Sequence, residues 1–175
     1  MSAGILLLRL AVGLTVAAHG AQKLFGAFGG HGLEGTAQFL ESLGFRPGRL
    51  HAWALGAGEL VGGIMLATGL LTPLGAAAVI GVMAVAALVV HRPHGFFAEN
   101  GGYEYPVTLA LAAEAVAFTG PGRFSIDHIA GWHLAGPGWG LAAAAIAAIA
   151  AGVVLAGRAV ANRSGDRGGA PAPAH

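Results

Sequence analysis

The chain has 175 residues, of which 55% are hydrophobic and only 10% charged, and it has no cysteine and a formal net charge of +1. Soluble domains carry about 25% charged residues; this composition, with a mean hydropathy of +0.70, is that of an integral membrane protein whose first partner is the lipid bilayer. The lack of cysteine excludes disulfides, thiol redox chemistry and Cys-ligated metal or iron–sulfur centres within the chain. The net charge says nothing about partners, and no nucleic acid is expected.

The first hydrophobic run, from about Gly4 to Phe25, lacks a positive segment before it and carries Arg9 inside it. It reads as a retained transmembrane helix rather than a secretory signal. Residues 26–50 form a loop in which Leu33, Ala37, Leu40, Leu43 and Phe45 are spaced for an amphipathic segment lying at the membrane interface. A second helix covers about His51–Leu70. A third covers Pro73–Val90, with Pro73 suited to its first turn. A polar loop, HRPHGFFAENGGYE, occupies 91–104. The fourth helix is expected from Tyr105 to Thr119 and the fifth from Trp139 to Ala156, with a polar tail from Arg158 left disordered. The expected division is a four-helix membrane domain over 4–127, a loop and extra transmembrane helix over 128–157, and the tail over 158–175. Abundant Gly and Ala favour close helix approach, as does the GxxxG at Gly58–Gly62.

With five spans, Lys23, Arg46, Arg49, Arg92, Arg158, Arg163 and Arg167 fall on one side, and Arg123 alone sits in a loop on the other. The positive-inside rule then places the N-terminus outside and the C-terminus in the cytoplasm of a bacterial inner membrane.

The charges inside the apolar helices carry the functional argument, because an ionisable group at the bilayer centre costs roughly 2.5–3.5 kcal/mol on insertion scales. At about 100° per residue, Arg9, His19 and Lys23 share one side of the first helix and must face protein or water. Depth divides them. Arg9 and Glu114 each lie roughly 8–9 Å from the outer surface at 1.5 Å per residue, and an Arg9–Glu114 ion pair is expected. The alternative is an Arg9 that reaches outward to headgroups beside a protonated Glu114. Nearer the inner surface, His19, Lys23, Glu59 and His91 form a second set. Converging in low dielectric, they suit proton movement or recognition of the oxygens of a quinone or small anion; alternatively, His19 and Glu59 form a structural hydrogen bond between the first two long helices. His91 and His94 flank Pro93, a spacing with no dependable metal geometry, and no metal is assigned. Trp53, Tyr103, Tyr105, Trp132 and Trp139 fall near the expected span ends, as in an aromatic belt.

The stretches RLAVGLTVAAHGAQKLFG, HAWALGAGELVGGIMLATGLLTPLGA, HRPHGFFAENGGYEY and GPGRFSID occur in order between Leu8 and Asp127. Over that region, about two-thirds of the chain, the sequence resembles the DoxX family of bacterial membrane proteins. The positions that match its motifs are Arg9, His19, Gly20, Lys23, Glu59, His91, Glu104, Glu114 and the segment Gly120–Asp127. The resemblance implies a four-helix membrane domain, with the fifth helix an extension. It also implies a link to membrane-associated redox complexes. DoxX relatives are linked to assemblies with superoxide dismutase and a thiosulfate sulfurtransferase in mycobacteria, and the similar DoxD is a subunit of a thiosulfate:quinone oxidoreductase. Other relatives are associated with resistance to quinones and thiol stress.

The expected fold is therefore an all-α integral membrane protein, a DoxX-type four-helix transmembrane bundle plus a fifth C-terminal transmembrane helix. Two functions compete. In the first, the chain is a membrane subunit of an oxidoreductase complex tied to oxidative stress, binding a quinone at His19, Lys23, Glu59 and His91. A partner or the quinone itself must then carry the electrons. In the second it is a non-catalytic anchor whose loops at 26–50 and 91–104 recruit cytosolic antioxidant or sulfur-transfer enzymes. A small-solute transporter is disfavoured by the few helices and the lack of a visible repeat. Self-association as a homo-oligomer stays open.

Overall fold

The computed structural model describes residues 2–168, and these contain helices and no strand. In chain order they are α1 (Ser2–Phe25), α2 (Gly32–Ser42), α3 (Gly48–Thr68), α4 (Thr72–Ala86), α5 (Glu104–Thr119), the short α6 (Ile126–Ile129) and α7 (Pro137–Gly168). A π-helical turn, Ala87–His91, prolongs α4. Four stretches among the described residues are long and apolar enough to cross a membrane: Ser2–Phe25, Gly48–Thr68, Thr72–His94 and Pro137–Arg163.

Of the five spans expected from the sequence, the fourth, Tyr105–Thr119, is not met by length, so four and not five candidate spans are found among the described residues. The 16 residues of α5 rise only about 24 Å at 1.5 Å each, against a hydrocarbon core of about 30 Å. The helix nevertheless joins the two ends of the bundle. Tyr105 in its first turn reaches His19 on α1, and the segment after Thr119 folds over Arg9, near the start of α1.

Small residues decide how the bundle closes. A Cβ on Gly13 would lie 2.5 Å from the Gly63 carbonyl oxygen and 2.6 Å from the Ala67 nitrogen, so α1 and α3 touch backbone to backbone. The GxxxG of α3 looks the other way. Cβ atoms on Gly58 and Gly62 would meet Val82 and Ala78 of α4, at 3.2 and 2.7 Å. The neighbour of that motif, which its sequence does not name, is therefore α4. In a bilayer, where lipid is as apolar as the helices, such close approach supplies the packing that holds them together.

The amphipathic segment expected at the interface is α2, and its apolar face is turned inward. Ala37, Leu40 and Phe45 form a buried cluster with Ala52, against Leu55, Val85, Val89 and Val154. The expected disordered tail is corrected as well, since α7 continues through Gly168. Arg158 holds it in place by donating from Nε to the Leu43 carbonyl at 2.6 Å and by lying 5.4 Å over the Phe45 ring. Residues 169–175 of the expected tail lie outside the described residues.

Arg9 is 1% exposed, but the expected Arg9–Glu114 pair is absent. The guanidinium donates to the Pro121 carbonyl and, at 2.5 Å, to that of Phe124. Glu114 Oε2 is buried without a hydrogen-bond partner. The reason is local: the Gly120–Phe124 turn brings its own carbonyls to Arg9, and the compensating charge comes from Asp127. That carboxylate, fully buried, accepts from the Leu71 and Thr72 amides at 2.6 and 2.9 Å and from Thr72 Oγ1 at 2.6 Å. It thus caps α4 from a distant part of the chain, satisfying amides that open a helix without partners.

Asp127→Ala is expected to lower stability by about 2–3 kcal/mol, the scale of a lost cap and of charged hydrogen bonds, read as a reduced melting temperature in detergent. Double-mutant cycles then separate the partners of Arg9: Arg9→Met should couple to Asp127→Ala by more than about 0.5 kcal/mol and be additive with Glu114→Gln.

Candidate functional site

The inner half of the bundle holds the other buried charges. Lys23 closes α1 and Glu59 lies inside α3. The α1–α3 contact continues at Gly20, where a Cβ would lie 2.7 Å from the Gly56 carbonyl oxygen. Gly20 and Gly56 keep α1 and α3 close, and although the helices run in opposite directions the long side chains of Lys23 and Glu59 span the offset between them. Lys23 Nζ donates to both Glu59 oxygens, at 2.8 and 2.6 Å. The Glu59 side chain is 3% exposed and that of Lys23 28%, so the ammonium is the half of the pair that reaches open space.

That space is a chamber of about 550 Å³ between the inner ends of α1, α3 and α4, roofed by α2. Gln22, Lys23, His31, Thr36, Glu59 and His91 supply its polar wall, and most of the rest is apolar. Three of the four site residues expected from the sequence, Lys23, Glu59 and His91, therefore face one chamber. His91 is fixed by donating from Nδ1 to the Gly101 carbonyl at 2.6 Å. Among the described residues no three His, Cys, Asp or Glu side chains are placed to hold a metal ion. His94 bonds instead to the Val90 carbonyl at 3.1 Å.

His19 does not line the chamber, nor does it bond to Glu59. With its proton on Nδ1 it donates to Gln22 Oε1 at 3.1 Å and accepts from the Tyr105 hydroxyl at 3.4 Å on Nε2. It positions Gln22, which lines the chamber, and ties α1 to the start of α5. Gln22, Thr36 and Tyr105 were not singled out by sequence reasoning as parts of this site. For Gln22 the signal was present, since it lies three residues from His19 on one helix face. Thr36 and Tyr105 arrive through tertiary packing of α2 and α5.

Chemically, the chamber offers a cation with spare donor capacity. An ammonium has three N–H groups, and two of them point at Glu59. The third is available to an acceptor oxygen, with Gln22 and His91 beside it.

The family model for DoxX matches residues 4–92. The chain belongs to the DoxX family. The match takes in α1 to α4 with Arg9, His19, Lys23, Glu59 and His91, and it ends at the π turn, ahead of the later GPGRFSID stretch. No match is found among the curated proteins or the solved structures. The DoxX protein thus carries its chamber within the matched region, while α5 to α7 lie beyond it.

Lys23→Met is expected to destabilise the protein by about 3–5 kcal/mol, because it strands the buried Glu59 charge, whereas Lys23→Met/Glu59→Gln removes both charges and restores most of the loss. Thermal unfolding of the three proteins in one detergent measures this.

Proposed function

We propose that this DoxX protein is the quinone-binding membrane subunit of a redox complex, with the polar ring of the quinone held in the inner chamber. The observation that carries the reading is the Lys23–Glu59 pair, whose buried carboxylate fixes an ammonium facing a chamber of about 550 Å³. Such a pair suits a neutral acceptor. A quinone carbonyl takes a charge-assisted hydrogen bond from the third N–H of Lys23, and the pair as a whole stays neutral in a low-dielectric setting where a lone charge is costly. Gln22 and His91 lie beside that carbonyl as further polar contacts. When bound, the quinone supplies two-electron chemistry. The protein's part is to orient the ring, exclude lipid from its oxygens and hold a proton near them at Glu59 or Lys23. Electrons come from the reduced substrate of a partner oxidoreductase; a superoxide dismutase or a sulfurtransferase would be an associated protein and not the electron donor.

The arrangement of basic residues supports an orientation with this chamber on the cytoplasmic side. Lys23, Arg49 and Arg158 belong to the end where α1 finishes, α3 begins and the Arg158–Leu43 contact closes the bundle.

Titration of purified protein with a menaquinone analogue tests the reading. Wild type is expected to bind, and Lys23→Met/Glu59→Gln to bind about 10- to 100-fold more weakly, the scale of a lost hydrogen bond to a charged donor. His19→Ala, which acts only through Gln22, is expected to lose much less. Equal binding by all three proteins would remove the pair from the site and favour the non-catalytic anchor.

A further inference from the structure

Beside the polar chamber lies a second cavity of about 230 Å³, a groove between α3, α4 and α7. Its wall is almost wholly apolar, and Leu40, Phe45, Leu55 and Val85 line both spaces. They form a partition with a charged pair on one side and hydrocarbon on the other. The groove is roomy because its residues are small. Ala54, Gly58, Gly81 and Ala150 line it, and a Cβ on Gly81 would meet nothing nearer than the Ala147 carbonyl oxygen at 3.5 Å. This differs from Gly13, where the neighbouring backbone leaves no room for a side chain. The partition is also held from outside. Phe45 is 2% exposed, its ring lies 5.3 Å from that of His51, and Arg158 of α7 lies over it.

We propose that the groove between α3, α4 and α7 receives the apolar tail of the amphiphile whose polar head meets Lys23, so that the ligand class is a tailed quinone rather than a free ring. This rests on the quinone reading of the chamber. The occupant follows from adjacency: one ligand with a hydrogen-bond acceptor at one end and a hydrocarbon chain at the other fits two spaces lined in common by Leu40, Phe45, Leu55 and Val85. The tail reaches the groove across that border. Because α7 supplies one side of the groove, tail selection depends on a helix beyond the DoxX-matched region.

The test compares a tailless naphthoquinone with the same ring bearing two or three isoprene units, titrated in one detergent into wild type, Ala54→Phe and Ala150→Phe. Both alanines are exposed in the chain, so the larger rings fill the groove without entering the bundle core. Lipid is itself apolar and gives the tail no hydrophobic drive into protein, so packing alone is at stake and the effect is modest. The ratio of tailed to tailless affinity is expected to fall about fivefold in each filled variant. An unchanged ratio overturns the proposal, as does a change in oligomeric mass on filling the groove, which would assign it to a second copy of the chain. Lys23→Met/Glu59→Gln is the separate arm. It should weaken both ligands alike. If it weakens neither while the filled variants still lower the ratio, the head-group reading fails and the tail groove stands. If neither analogue binds wild type, both fall.

Discussion

A lysine and a glutamate facing one another across two apolar helices form the interaction on which the inner half of this protein depends. Either charge alone in hydrocarbon would draw water, change its protonation or pull its helix out of place. Together they form a neutral unit in which Glu59 accepts two hydrogen bonds and Lys23 keeps one donor for the chamber. The outer half solves the same problem without a carboxylate hydrogen-bonded to the cation. Two loop carbonyls accept from the Arg9 guanidinium, whose Nε has no hydrogen-bond partner among the described residues, while Asp127 accepts its hydrogen bonds from the start of α4. The two solutions differ in what they leave over. The outer carbonyls are spent on Arg9 and the Asp127 carboxylate on the start of α4, whereas Lys23 of the inner pair faces open space.

The pair is only as good as the helix approach beneath it. Lysine and glutamate on neighbouring helices meet at hydrogen-bond distance when the backbones lie close, and Gly13, Gly20, Gly56 and Gly63 provide that closeness along α1 and α3. Glycine weakens an isolated helix. In a bilayer that cost is offset where it permits contact that lipid cannot match. The placement of the charges and the placement of the glycines are therefore one feature: shifting α1 along α3 would separate Lys23 from Glu59 and press Gly20 against side chains.

How far the sequence reveals this depends on which chemical partner each charge takes. Lys23 and Glu59 were legible as one cluster because side-chain charges in apolar helices must meet protein, and both lie toward the same end. The partner of Arg9 was not legible. Matching depth pointed to Glu114, but backbone carbonyls leave no mark in an amino-acid sequence, and the Gly120–Phe124 turn supplies them. His19 bonds to Gln22 on its own helix and to Tyr105 on α5 instead of Glu59, a choice that depends on how α5 packs. The length of α7 was hidden for a similar reason. Polar residues after Arg158 read as a free tail, while the helix continues and Arg158 adds a bond to the Leu43 carbonyl to the packing of Ala143, Ala147 and Ala151.

The division of labour within the chain follows from these anchors. The charged pair lies on α1 and α3, inside the DoxX match, and the chamber needs only those helices with α2 and α4. The apolar groove is incomplete without Ala150, Ala151 and Val154 of α7, and its partition is braced by Arg158 of the same helix. Replacing or trimming α7 would thus alter the groove while leaving Lys23 and Glu59 bonded, because none of the described α7 side chains lines the chamber that holds the pair. In the proposed reading, recognition of the ring belongs to the part of the chain that defines the family, and recognition of the tail belongs to a helix free to differ. The physical basis is the apolar border of Leu40, Phe45, Leu55 and Val85, which lines both spaces.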